Sequence, residues 1–217
     1  MTRAETKKWA KLKIKGKMWN VLGVSLIAGL INGISTTPSS ESDIEIIIIE
    51  LIISFVCGIL AMIIDVGLIR WMTNFINDKE TKLEILFSKF KDWKQVTMVF
   101  IHQYAMVLLY TLLLIIPGMI KALGYSLVPY ILANDSNMGS DEVLKLSEKM
   151  MKGHKMDLFI FSLSFIGWHL LAIFTLGILE IWIIPYQETA TTKYLLDIKA
   201  EYENNNQTQN NKNLEVI

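Results

Sequence analysis

Several residue types are scarce in this chain, and each scarcity closes off a class of protein. There is one cysteine, Cys57, inside an apolar run, which excludes a disulfide-stapled secreted module. The three histidines, His102, His154 and His169, lie far apart and give no metal-ligand spacing, so neither a metal nor another cofactor is expected. H-E-x-x-H, a glycine-rich phosphate loop and G-x-S-x-G are all missing, and no enzyme is expected. Charge is sparse as well: 19% of the 217 residues are charged, against about 25% in an ordinary soluble domain. The formal net charge is zero, which excludes a strongly basic nucleic-acid binder and an acidic disordered chain.

Apolar residues make up 52% of the chain, and they come in long runs. A helix crosses the roughly 30 Å hydrocarbon core of a bilayer in about 20 residues. Four stretches meet or approach that length: residues 18–34, 46–69, 97–116 and 158–176. Two weaker ones, 118–133 and 178–195, carry Lys121 and Glu180 near their starts. The first run has a 17-residue basic region before it and no A-x-A-like site after it, so a retained helix is expected rather than a cleaved signal.

Charge placement orders these segments, because loops kept on the cytoplasmic side carry excess Lys and Arg. Residues 1–17 hold seven bases and one acid, whereas residues 35–50 hold four acids (Glu41, Asp43, Glu45 and Glu50) and no base. The stretches 70–95 and 134–156 are basic again. Both can be inside only if 118–133 returns the chain, and the basic tail asks the same of 178–195. The expected architecture is therefore all-α: a polytopic bundle of six spans in three hairpins, occupying residues 18–195. A basic cytoplasmic N-terminus (1–17) precedes it and a polar, disordered cytoplasmic tail (196–217) follows.

Between residues 78 and 95, Leu83, Leu86, Phe87, Phe90 and Trp93 recur at helical spacing, with Lys82, Lys89, Lys91 and Lys94 beside them. This pattern predicts an amphipathic helix lying at the inner leaflet, its lysines toward anionic headgroups. A second such helix is expected over 140–152, capped by Ser140 and stopped by Gly153, with Lys152 and Lys155 at its far end. The N-terminal stretch, with Trp9, Leu12, Ile14 and Trp19 among lysines, suits a third. A solvated basic loop that merely sets topology is the plainer alternative for each.

Ionisable groups inside apolar spans are costly and invite a functional reading. The candidates are Asp65, His102, Lys121, His169 and Glu180. One reading makes Asp65, His102 and His169 relay groups of a polar pathway. The plainer and favoured one has these groups satisfy each other and fix helix packing. Lys121 is expected to pair with Glu180 or Glu50.

The second half carries motifs that resemble a known family. Ile116-Pro117-Gly118-Met119-Ile120-Lys121-Ala122-Leu123-Gly124-Tyr125-Ser126 is followed by Val128-Pro129-Tyr130-Ile131-Leu132-Ala133-Asn134-Asp135. Then come Leu146-Ser147-Glu148-Lys149-Met150-Met151-Lys152-Gly153-His154-Lys155 and Leu176-Gly177-Ile178-Leu179-Glu180-Ile181-Trp182-Ile183-Ile184-Pro185-Tyr186. Over residues 80–195 the chain resembles the DUF975 family of bacterial integral membrane proteins. The resemblance implies a multi-pass protein of the bacterial plasma membrane and brings no activity or catalytic residue with it. The function expected is non-enzymatic, a basic inner face that binds membrane lipids of anionic kind or a partner protein, and not nucleic acid. A small transporter or transport accessory is the alternative, and protection against membrane-active peptides the third.

Overall fold

The computed structural model describes residues 2–32, 44–134 and 137–215, and among these every regular element is helical. The acidic outer loop expected at 35–43 lies outside the described residues. The α-helices are α1 (Arg3–Lys13), α2 (Met18–Asn32), α3 (Ile44–Ile76), α4 (Trp93–Leu113), α5 (Ile115–Gly124), α6 (Val128–Asn134), α7 (Ser140–Met150), α8 (Lys155–Phe174) and α9 (Glu180–Glu215). A 3-10 helix, Leu83–Asp92, leads directly into α4.

Four segments are long and apolar enough to cross a membrane: Ile44–Ile76, Leu83–Leu113, Ile115–Asn134 and Lys155–Phe174. Met18–Gly29 is apolar but shorter. Side chains at the far ends of these helices, among them Ile44, Leu112 and Phe174, are exposed. Lipid can cover such faces at no hydrophobic cost, so they need no protein partner.

Packing is concentrated where the helices carry polar groups. One buried cluster joins Val66 of α3, Val99 and Phe100 of α4, Val143 of α7, Phe161 and Phe165 of α8, and Tyr194 of α9. A second joins Val21 and Val24 of α2 to Trp71, Met72 and Phe75 of α3.

Residues 115–134 form two helices rather than one. Pro129 has no N–H to give to Tyr125, so the ladder breaks at 125–127, and proline sits comfortably in the first turn of α6. The end of α5 leaves carbonyls without helical partners, and the Ser147 hydroxyl of α7 donates to the Gly124 carbonyl at 2.8 Å. At the top of the α4–α5 hairpin the backbones nearly touch. A Cβ at Gly118 would lie 2.0 Å from Thr111 Oγ1.

The expected amphipathic segments are helical, but they are built into the bundle. The residues from 83 to 92 wind with three per turn, so Leu83, Leu86, Lys89 and Asp92 share a face. Leu86 and Lys89 of that face are buried toward α3, where Gly67 lets the Leu86 carbonyl approach so closely that a Cβ would lie 1.9 Å away, while Leu83 stays exposed. Helix α7 likewise buries Val143, Leu144, Ser147 and Met150 in the protein core.

Helix α1 starts with a reciprocal cap, Thr2 Oγ1 accepting from Glu5 N–H at 3.3 Å and Glu5 accepting from Thr2 N–H at 2.7 Å. It then packs against α9, where the Lys193 amine lies 5.4 Å from the Trp9 ring centroid, and it is tied to α8 by Arg3, 3.9 Å from Asp157, and by Lys7, which donates to Ser164 Oγ at 2.5 Å. This course carries the α1–α2 turn to the far end of α8, where Ile14, Lys15 and Gly16 line the same groove as Leu179 and Trp182. The α1–α2 and α8–α9 turns thus share one end of the bundle. That departs from the expected six-span order, which sets them on opposite sides of the membrane. Helix α9 also continues to Glu215, through the polar stretch expected to lack structure.

Candidate functional site

The polar residues of the apolar helices meet mainly on α9. Its first turns present Glu180, Gln187, Glu188 and Thr192, spaced so that they follow one side of the helix toward α8, α2 and α6. His169 of α8 is held at both ring nitrogens, Nδ1 2.8 Å from Glu180 Oε1 and Nε2 2.6 Å from Gln187 Oε1. At the next residue of α9, the Ser25 hydroxyl of α2 donates to Glu188. Asp65 of α3 is near enough for its charge to act on Glu188. Tyr130 of α6 is buried, its hydroxyl 3.4 Å from Thr192 Oγ1. A 360 Å³ cavity lies between α3 and α9, lined by Tyr130, His169, Gln187, Glu188 and Thr192 together with apolar side chains of α3.

This seam unites three of the five candidates, Asp65, His169 and Glu180. It also contains residues that the sequence reading passed over: Ser25, Tyr130, Gln187, Glu188 and Thr192. The available signal was the run Gln187-Glu188-Thr189 directly after Pro185-Tyr186, which looks like the polar end of a span but lies on a continuous helix. Chemically the seam is a chain of hydrogen bonds that ties four helices together. Each pair satisfies groups that would be expensive to leave open in a lipid setting.

His102 stands apart from the seam. Its Nδ1 lies 3.3 Å from Asp141 in the first turn of α7, so the trio Asp65, His102 and His169 does not form one relay. Lys121 pairs with neither Glu180 nor Glu50, which corrects the expectation. Its amine is 2.5 Å from Glu148 Oε1 and 4.8 Å from the Tyr110 ring centroid. The reason lies in the break after α5, where Ser147 docks on Gly124 and so brings the next residue, Glu148, beside Lys121, while Glu180 is engaged by His169.

The lysines expected at lipid headgroups divide. Lys89 is 1% exposed and 3.5 Å from Asp92, turned inward by the 3-10 winding, and it cannot meet a headgroup. Lys155 is half-buried, with its amine packed over Gly124. Lys82, Lys91, Lys94 and Lys152 are exposed; of these Lys82 is 2.9 Å from Glu80, an exposed pair of little energetic weight. The inward rotation of Lys89 exposes Phe87, so Lys91 and Lys94 stand beside the outward rings of Phe87 and Trp93. Lys155 opens α8 and Lys152 just precedes it, about 20 Å along that helix from Trp168, which lines the groove at the α1–α2 turn. The expected single basic face is therefore split between the two ends of α8.

The fold is all-helical among the described residues, and four of its segments are long and apolar enough to cross a membrane, which is consistent with a membrane protein. The family model described as "Protein of unknown function (DUF975)" matches residues 93–202, about half of the chain. The chain belongs to the DUF975 family. No curated protein and no solved structure matches it.

Proposed function

We propose that this protein is a non-enzymatic, multi-pass component of the bacterial plasma membrane that binds anionic lipid through exposed lysines set beside exposed aromatic rings. The observation that carries this reading is the surface of the 3-10 helix and the start of α4. There Lys82, Lys91 and Lys94 are exposed together with Phe87 and Trp93. Aromatic rings rest in the boundary between headgroups and acyl chains, and each lysine near an anionic leaflet contributes on the order of 1 kcal/mol. The excess of bases around the α1–α2 turn and over 79–94 supports the reading that this end of the bundle faces the cytoplasmic leaflet. The polar seam acts in this reading as the tie that holds α2, α6, α8 and α9 in register.

The test is the lipid retained by purified protein. Replacing Lys82, Lys91 and Lys94 by Gln is expected to lower bound anionic lipid several-fold while leaving helix content and yield intact. An unchanged ratio of anionic to zwitterionic lipid in the triple variant would refute the reading.

A further inference from the structure

A groove of 740 Å³ opens where the α1–α2 turn meets the α8–α9 turn, and the polar seam does not use it. Its walls are apolar and aromatic, including Trp19, Trp168, Leu179 and Trp182. The three indoles are 70%, 50% and 47% exposed, so half of the six tryptophans of the chain face this one opening. Lys11 and Lys15 also line it. Both are exposed, neither has an ion-pair partner among the described residues, and no carboxylate lines the groove.

We infer that this groove is a discrete binding site for one anionic phospholipid, its acyl chain along Trp168 and Trp182 and its phosphate at Lys11 and Lys15. The volume is in the range of small-molecule sites, about 300–1,000 Å³, and suits an alkyl chain. Indoles concentrate at the membrane interface, where one end of a lipid is apolar and the other wet. Two unpaired ammonium groups with no acid beside them complement a phosphodiester and give a zwitterionic headgroup no second partner. The site rests on the anionic-lipid reading above, but it uses different lysines from the patch on the 3-10 helix, so the two can fail separately.

The probe is phosphatidylglycerol with brominated tails, compared with brominated phosphatidylcholine, in vesicles holding the full-length protein. Tryptophan quenching reports tail contact, and a Trp93→Phe background removes the indole of the other patch. Quenching is expected to favour phosphatidylglycerol on the order of tenfold, since each lysine near an anionic headgroup gives roughly a fivefold preference. Lys11→Gln with Lys15→Gln is expected to bring the preference within about twofold while quenching by either lipid persists. Lys82, Lys91 and Lys94 changed to Gln are expected to leave it intact. A preference that survives the Lys11 and Lys15 changes but falls with the other three would overturn the groove and keep the broader reading. Equal quenching by the two lipids in unaltered protein would overturn both, and no quenching of the groove indoles by either lipid would mean that protein fills the groove.

Discussion

Asp78 ends α3 in a left-handed conformation, φ 53°, which a short polar side chain tolerates better than a branched one. There its carboxylate meets the Lys13 ammonium at 2.6 Å. That hydrogen bond, and the Lys13 charge behind it, hold the Asp78 carboxyl below the ordinary carboxylate range. A carboxyl lowered in the folded state contributes stability above its unfolded value of about 4 and loses it as pH falls through the folded value. The end of α1 should therefore loosen below about pH 4, and the protection of α1 amides, each rate taken relative to the unstructured rate at the same pH, is expected to fall there in the unaltered protein. Asp78→Asn should show the lower protection above that pH as well as below it, and a persistent step in protection in that variant would count against the pair. At this scale the sequence was partly legible. Asp65, His169 and Glu180 stand out because charge within an apolar run is costly, and all three lie in the seam. The partner of Lys121 was hidden because it depends on where α7 docks, and that contact is long-range.

Among the elements, the segment from 83 to 92 shows how a correct helical rhythm can still misplace a side chain. At 3.6 residues per turn Lys89 lies beside the apolar stripe, whereas at three per turn it falls in line with Leu86 and is buried. The choice of winding follows from Gly67, whose missing side chain lets the segment sit directly on α3. Gly67→Ala is expected to destabilise the protein by about 1–3 kcal/mol, the usual range for overpacking, and to raise hydrogen exchange across 83–92 more than elsewhere. An unchanged melting temperature in detergent would mean that the close approach is unimportant. The break between α5 and α6 was legible only in part. Pro129 signals a helix start, but the carbonyl left open at Gly124 is answered from α7, which no local pattern announces.

For the whole molecule, the net charge of zero conceals a strong asymmetry: the first 17 residues are basic and the loop after α2 is acidic. Composition alone made the all-helical, membrane-type architecture legible, since runs of this length have few other uses. The order of the turns was not legible. Charge counting assumes that a basic segment stays in its own loop, but α1 packs on α9, tied to α8 through Arg3 and Lys7, and so delivers Lys11 and Lys15 to the α8–α9 turn. The groove proposal depends on that arrangement, because it gathers Lys11 and Lys15 with Trp19, Trp168 and Trp182 at one opening. Labelling of single cysteines from one side of intact membranes tests it most directly, using Lys15→Cys and Ile178→Cys in a Cys57→Ser background. Both positions are expected to react from the cytoplasmic side with the same impermeant reagent. Reaction of position 178 only from the outer side would restore the six-span order and contradict the shared basic end.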